Sequence, residues 1–374
     1  MATYPGAVVV LASHADTTDT IFAADINTPN AEIVAVETGL LNGFQHDLLP
    51  LTDDVRSLGS TTKRWLKVWA QDADIDGTLT LAAGSTVTVN NGVVQGRLTL
   101  TTVTPVTTAD VTAATTLYFT PYTGKYLALY DGAAWNLVAF SELSIAVPAT
   151  TSQMYDVFVY SNAGVATLEV LAWTNDTTRA TALVLQDGVL SKTGALTRRY
   201  VGSFRTTTVS GQIEDSATKR YLWNYYNRVL RPLVRTESTA SWIYTTATFR
   251  QANAAAANQV DVVVGIAEVL VDLALTAQAN TGTAIIGFSV GFGEDSTSAL
   301  SASSVGGTAE SDNQTLSMFR ALTARLVKYP AVGRHFYAWL EAGTALGTTT
   351  WYGTPASPAA MTGTANGISG YIAG

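Results

Sequence analysis

Gly287, Ser289 and Gly291 carry the G-x-S-x-G spacing of a nucleophile elbow, and Asp295, Asp312 and His335 follow in the hydrolase order of serine, acid, histidine. An elbow needs a strand, a sharp turn and a helix to lift the serine toward its base. The residues after Gly291 read FGEDSTSAL, polar and turn-like with no helical period, and no glycine cluster precedes them to form an oxyanion hole. The match is therefore read as a coincidence in a chain rich in Gly and Ser. Asp72, Asp74, Asp76 and Gly77 open like a calcium loop, but its twelfth position, which needs a bidentate Glu, is Ala83. Glu214-Asp215 and Glu294-Asp295 are paired carboxylates of the kind a glycosidase uses across about 5–10 Å. Neighbours on a strand point to opposite faces, so neither pair qualifies by itself. His14, His46 and His335 are scattered, without metal-ligand spacing. The expectation is a protein with no catalytic site, no metal and no cofactor.

Aromatic side chains are the remaining chemical lead, because the apolar face of a pyranose stacks on an exposed ring. Trp242, Tyr244, Tyr329, Tyr337, Trp339, Trp351 and Tyr352 all lie in the last third of the chain. Strand alternation buries about half of such a set. Trp351 and Tyr352, bounded by Thr348, Thr349, Thr350 and Gly353, form the pair expected to be exposed, with Trp242 and Tyr329 as further glycan-binding candidates.

The elements that must position these residues are mostly strands. Only 13% of the 374 residues are charged while 47% are hydrophobic, so much apolar surface must be hidden, most economically against further copies of the chain. A net charge of −8 and a pI near 4.9 argue against nucleic acid, which demands a basic face. There is no cysteine. The longest apolar stretch, 260–277, is interrupted by Asp261, Glu268 and Asp272, so no membrane insertion is expected. No positively charged leader is apparent, since no Lys or Arg precedes Arg56.

Four regions follow. In residues 1–50, Thr28-Pro29 reads as an N-cap and first-turn proline, and Ile26, Ile33 and Leu40 fall seven apart. This is a short amphipathic helix, either lying on a β domain or meeting its copies on an axis. Residues 51–110 are Thr-rich with alternating apolar positions and an Asn91-Gly92 hairpin signal, a pattern expected to form an intertwined shaft rather than a core within one chain. Residues 111–235 read as a middle β domain, with turns at Asp131-Gly132, 162–164 and Asp187-Gly188; 219–230 is a strand or a short helix, and Arg231-Pro232 is a boundary. Residues 236–374 read as a second β domain, a sandwich or jelly roll, with a small apolar end that would be buried by docking on a neighbour.

Residues 52–70, TDDVRSLGSTTKRWLKVWA, followed by Asp76-Gly77, resemble a signature of bacteriophage tail-fibre and related virion appendage proteins. Its carriers here are Asp54, Leu58, Gly59, Ser60, Lys63, Arg64, Trp65, Val68, Trp69 and Ala70. Residues 118–231, with YFTPYTGKYLALYDGAAWNL and KRYLWNYYNRVLRP, resemble a module of phage structural proteins. The resemblance covers about half of the chain. It implies a mainly β, elongated homotrimer with a short N-terminal helix, an intertwined β shaft and two β-sandwich-like domains. It also implies a virion location after synthesis in the host cytoplasm, contacts with other tail, baseplate or capsid proteins through the N-terminal region, and distal domains that meet host surface polysaccharide. Leu58, Gly59, Trp65 and Trp69, with Ile33 and Leu40, would set the trimer register. The alternative is a purely structural head fibre or a baseplate or tail connector without receptor binding.

Overall fold

The computed structural model describes residues 91–281, 287–310, 318–354 and 366–374, all within one compact unit, Ala82–Gly374. The expected helix and most of the expected shaft, with Ile33, Leu40, Leu58, Gly59, Trp65 and Trp69, lie outside the described residues, as do Asp72, Asp74, Asp76, Asp312, His14 and His46. What is described is mainly β.

The C-terminal half is one long hairpin rolled into two sheets. Leu230–Thr236 pairs with Gly367–Ala373, Gln259–Val264 with Gly333–Gly343, Val271–Thr281 with Met318–Lys328, and Gly287–Glu294 with Thr308–Glu310, every pair antiparallel. Nested pairing of this kind is a jelly roll. Rolling brings Gly367–Ala373 beside Val271–Thr281, and Gly333–Gly343 beside Gly287–Glu294. One sheet therefore runs Leu230–Thr236, Gly367–Ala373, Val271–Thr281, Met318–Lys328, Ser304–Gly306; the other contains Gln259–Val264, Gly333–Gly343, Gly287–Glu294, Thr308–Glu310. The period-2 pattern aims Val271, Leu273, Leu275, Ala277 and Ala279 inward against Phe288, Val290 and Phe292. Phe288 meets Trp351 edge-on, with centroids 6.1 Å apart.

The preceding half is built on Met154–Asn162, flanked by Val165–Ala172 and Ala195–Arg205. Two of its hairpins close on the expected turns. Ala163-Gly164 and Asp187-Gly188 both have left-handed backbone, with φ of 49° and 88°, and of 50° and 82°. That geometry matches the right-handed twist of the flanking strands.

Three expectations are corrected. Val94, Leu98 and Leu100, assigned to an intertwined shaft, are buried in the core of their own chain. Gly96 shows how tightly: a Cβ there would fall 2.1 Å from the Phe119 ring. Local pattern missed this because Phe119, Phe140 and Trp223, which complete the core, are distant in sequence. Arg231-Pro232 is no boundary but part of Leu230–Thr236. That strand lies at the edge of its sheet, where a proline without an N–H is tolerated. The second sheet also continues through Lys219–Arg220, Ile213–Asp215 and Val111–Ala114, so residues on both sides of position 235 share a sheet and a core. The chain end, finally, docks within its own molecule: Gly367–Ala373 sits between two strands of the first sheet, with Ile368 and Ile372 buried.

Candidate functional site

The hydrolase-like residues are dispersed by the sheet register. Ser289 stands opposite Ala342, and its hydroxyl shares a hydrogen bond with Thr308 (3.0 Å). His335 lies seven residues from Ala342 along the same strand, a separation of about 23 Å at the usual rise. Asp295 does meet His335, with Oδ2 2.7 Å from Nδ1, while Nε2 lies 3.0 Å from the Ala331 carbonyl oxygen. Both ring nitrogens thus face acceptors, an arrangement that suits the imidazolium. Burial lowers the His335 pKa, but the Asp295 hydrogen bond and charge outweigh it and the net shift is upward. The paired carboxylates are each occupied by cations: Asp215 by Arg220 and Arg231, Glu214 by Lys219, and Glu294 by Lys328. Among the described residues no group of three or more His, Cys, Asp or Glu side chains could hold a metal ion.

The aromatic candidates separate sharply. Trp351 is 0% exposed and packed on Phe288, and its indole N–H is directed at the Tyr244 carbonyl. Trp242 is buried against Trp339, with its N–H 3.0 and 2.8 Å from the two carboxylate oxygens of Glu341. The expected exposure of these two rings is corrected. Adjacent residues on a strand face opposite ways, so inward Trp351 forces Tyr352 outward. The alternation was legible in the sequence, but which of the two rings turns inward is set by the pairing with Val271–Thr281. Tyr337 and Trp339 are also fully buried. Tyr329 is exposed, just beyond Met318–Lys328, and has no aromatic partner among the described residues.

Tyr352 does have a partner, and sequence reasoning missed it. Phe319, 46% exposed, contacts Tyr352 with ring centroids 5.3 Å apart. Tyr352 pairs with Gln278 on one side of Val271–Thr281 and Phe319 with Asn280 on the other, so the two rings close over that strand. Thr350 and Ala321 complete the same rows. Asn280 Oδ1 is buried there with no hydrogen-bond partner among the described residues. The result is a two-ring apolar platform bordered by amide and hydroxyl side chains, carrying no charge. Such a surface can stack a sugar ring and hydrogen-bond its hydroxyls. Only the roll brings residues 278, 319 and 352 together.

Two buried charges fix the surroundings. Glu341, 0% exposed, accepts hydrogen bonds from Trp242 Nε1, Arg250 Nε (2.9 Å) and the Asn253 N–H (3.1 Å). Burial still pushes its carboxyl up to about 7. In the other half, Asp156 accepts from Arg179 (2.8 and 3.2 Å) and Ser203 (2.7 Å), and Arg179 also donates to the Gly265 carbonyl (2.6 Å), tying the two halves together. Burial raises the Asp156 pKa despite these donors.

No protein-family model matches the chain, and no curated protein matches it. Among the described residues no helix is long and apolar enough to cross a membrane.

Proposed function

We propose that this chain is the subunit of a homotrimeric phage tail fibre, a virion appendage whose jelly-roll half attaches the particle to host surface glycan. The signature of residues 52–70 and the module of residues 118–231 support the appendage reading, and a mainly β chain ending in a jelly roll suits a fibre tip. The attachment reading is carried by one observation, the outward-facing platform of exposed Phe319 and half-buried Tyr352 with its uncharged polar border. In this reading no chemistry is performed on the glycan. Residues 1–50 would join other virion proteins, and neither nucleic acid nor a membrane interior is a partner.

The test uses purified protein. It should reduce phage adsorption to host cells and bind immobilised envelope polysaccharide from the same cells. Phe319→Ala and Tyr352→Ala should each weaken that binding about fivefold, since ring stacking is worth about 1 kcal/mol, while leaving the melting temperature nearly unchanged. With Trp242 and Trp351 buried, this platform is the two-ring surface left among the described candidates, and Tyr329 stands exposed without a second ring. If the wild-type protein neither binds polysaccharide nor blocks adsorption, the chain is a structural head fibre or connector instead.

A further inference from the structure

The two jelly-roll sheets are treated differently by their own chain. The sheet containing Gly333–Gly343 is covered on its outer side: Leu300 lies over Gly291, the carbonyls of Ser296 and Ala299 over Gly293, and Tyr221 reaches Asp261. The other sheet has nothing over it among the described residues. Its outward rows read across four or all five of these strands. One holds Pro232, Tyr371, Asp272 and Val327; the next holds Val234, Ser369, Ala274, Arg325 and Val305.

We infer that this end of the open sheet, centred on Leu230, Val234, Ala274, Val305, Val327 and Tyr371, is where copies of the chain meet. The inference rests on the trimeric-fibre reading above and assigns the surface used. Leu230 and Val305 are 66% and 71% exposed, and Val234, Val327 and Tyr371 are each above 40%. The only charges in these rows, Asp272 and Arg325, neutralise each other in a bidentate pair (3.2 and 2.8 Å) that also receives the Tyr371 hydroxyl (3.3 Å). A chain with net charge −8 repels its copies generally; this patch, carrying no net charge, is where they can touch without that cost.

Location favours a copy as the occupant. The patch is at the end of the roll nearest the start of the described chain. Asn227 donates to the carbonyls of Val94 and Gly96, and Val229 and Gly374 exchange backbone hydrogen bonds beside Leu230. The residues bearing the fibre signature precede Asn91 in the chain. The glycan platform lies eight residues farther along Val271–Thr281, since Phe319 is opposite Asn280 and Val327 opposite Asp272. Both surfaces can therefore serve at once. Five strands and three side-chain rows span roughly 24 Å by 20 Å, about 500 Å². That exceeds a scattered exposed residue but falls short of the roughly 800 Å² per partner of a free-standing interface. The contact thus requires copies already tethered by the rest of a fibre, which raises their local concentration.

The absence of cysteine makes the test direct. Ala274→Cys, Val327→Cys and, as a control on an exposed turn of the other half, Thr151→Cys are made in the full chain, sized by light scattering and labelled with a maleimide under native conditions. The expected result is a particle of three times the 39.4 kDa chain mass, with Ala274→Cys and Val327→Cys labelled about tenfold more slowly than Thr151→Cys. A trimer in which all three label equally fast overturns this surface and leaves the fibre reading intact. A 39.4 kDa particle overturns both.

Discussion

Replacing Glu341 by Gln should abolish a specific stretch of the pH dependence of stability. Glu341 is fully enclosed, and even with donors from Trp242, Arg250 and Asn253 its carboxyl titrates near 7 instead of 4.5. The folded state therefore holds this proton more tightly than the unfolded state does. Below pH 4.5 both states are protonated and the contribution is fully present. As pH rises from 4.5 through about 7, the unfolded chain releases its proton first, and stability is lost. A shift of this size corresponds to about 3 kcal/mol at 1.36 kcal/mol per unit. Urea denaturation of the wild type across that window should show the unfolding free energy falling by about this amount, and Glu341→Gln should remove the fall. Asp156 and His335, also shifted upward, slope the same way but are common to both proteins, so the difference between the two profiles isolates Glu341. Parallel profiles for the two proteins would refute the argument, since they would mean that Glu341 holds its proton equally in both states.

Three further outcomes follow from the packing. Gly265→Ala would put a methyl group 2.1 Å from the Tyr200 hydroxyl and 2.5 Å from the Trp223 ring, so thermal denaturation should show a loss of about 2 kcal/mol or more. Arg179→Ala would strand Asp156, which is 1% exposed, without its cation, at a cost of about 3–5 kcal/mol in denaturant titrations. Asp295→Asn should lower the His335 pKa, followed by NMR of the ring protons, because Asp295 supplies the bond and charge that hold the proton; the stability His335 adds below pH 6.5, lost as pH rises through its folded pKa, should shrink with it.

Local order was legible where the cause is local. The turns Ala163-Gly164 and Asp187-Gly188 were readable because few residue types tolerate left-handed backbone, and strands such as Met154–Asn162 because Val, Phe and Tyr are concentrated there. The stretch 260–277 was harder. It reads as one apolar run, yet the structure divides it into Gln259–Val264 and the start of Val271–Thr281, one strand in each sheet. Gln259–Val264 is buried on both faces and shows little alternation, so periodicity did not mark where it ends.

The sequence by itself determined a β-rich chain without cysteine, low in charge, with its turns in place. It could not determine which ring faces outward. Trp351 and Tyr352 are adjacent and alternate on any strand, but the choice between them is fixed by register against Val271–Thr281, whose partners come from residues 318–328, 349–352 and 367–373. That register also brought Phe319 to Tyr352 and left one sheet bare while the other was covered. Pairings between residues so distant in the chain are set by the summed burial of both sheets and have no local signature, so only the tertiary structure could decide them.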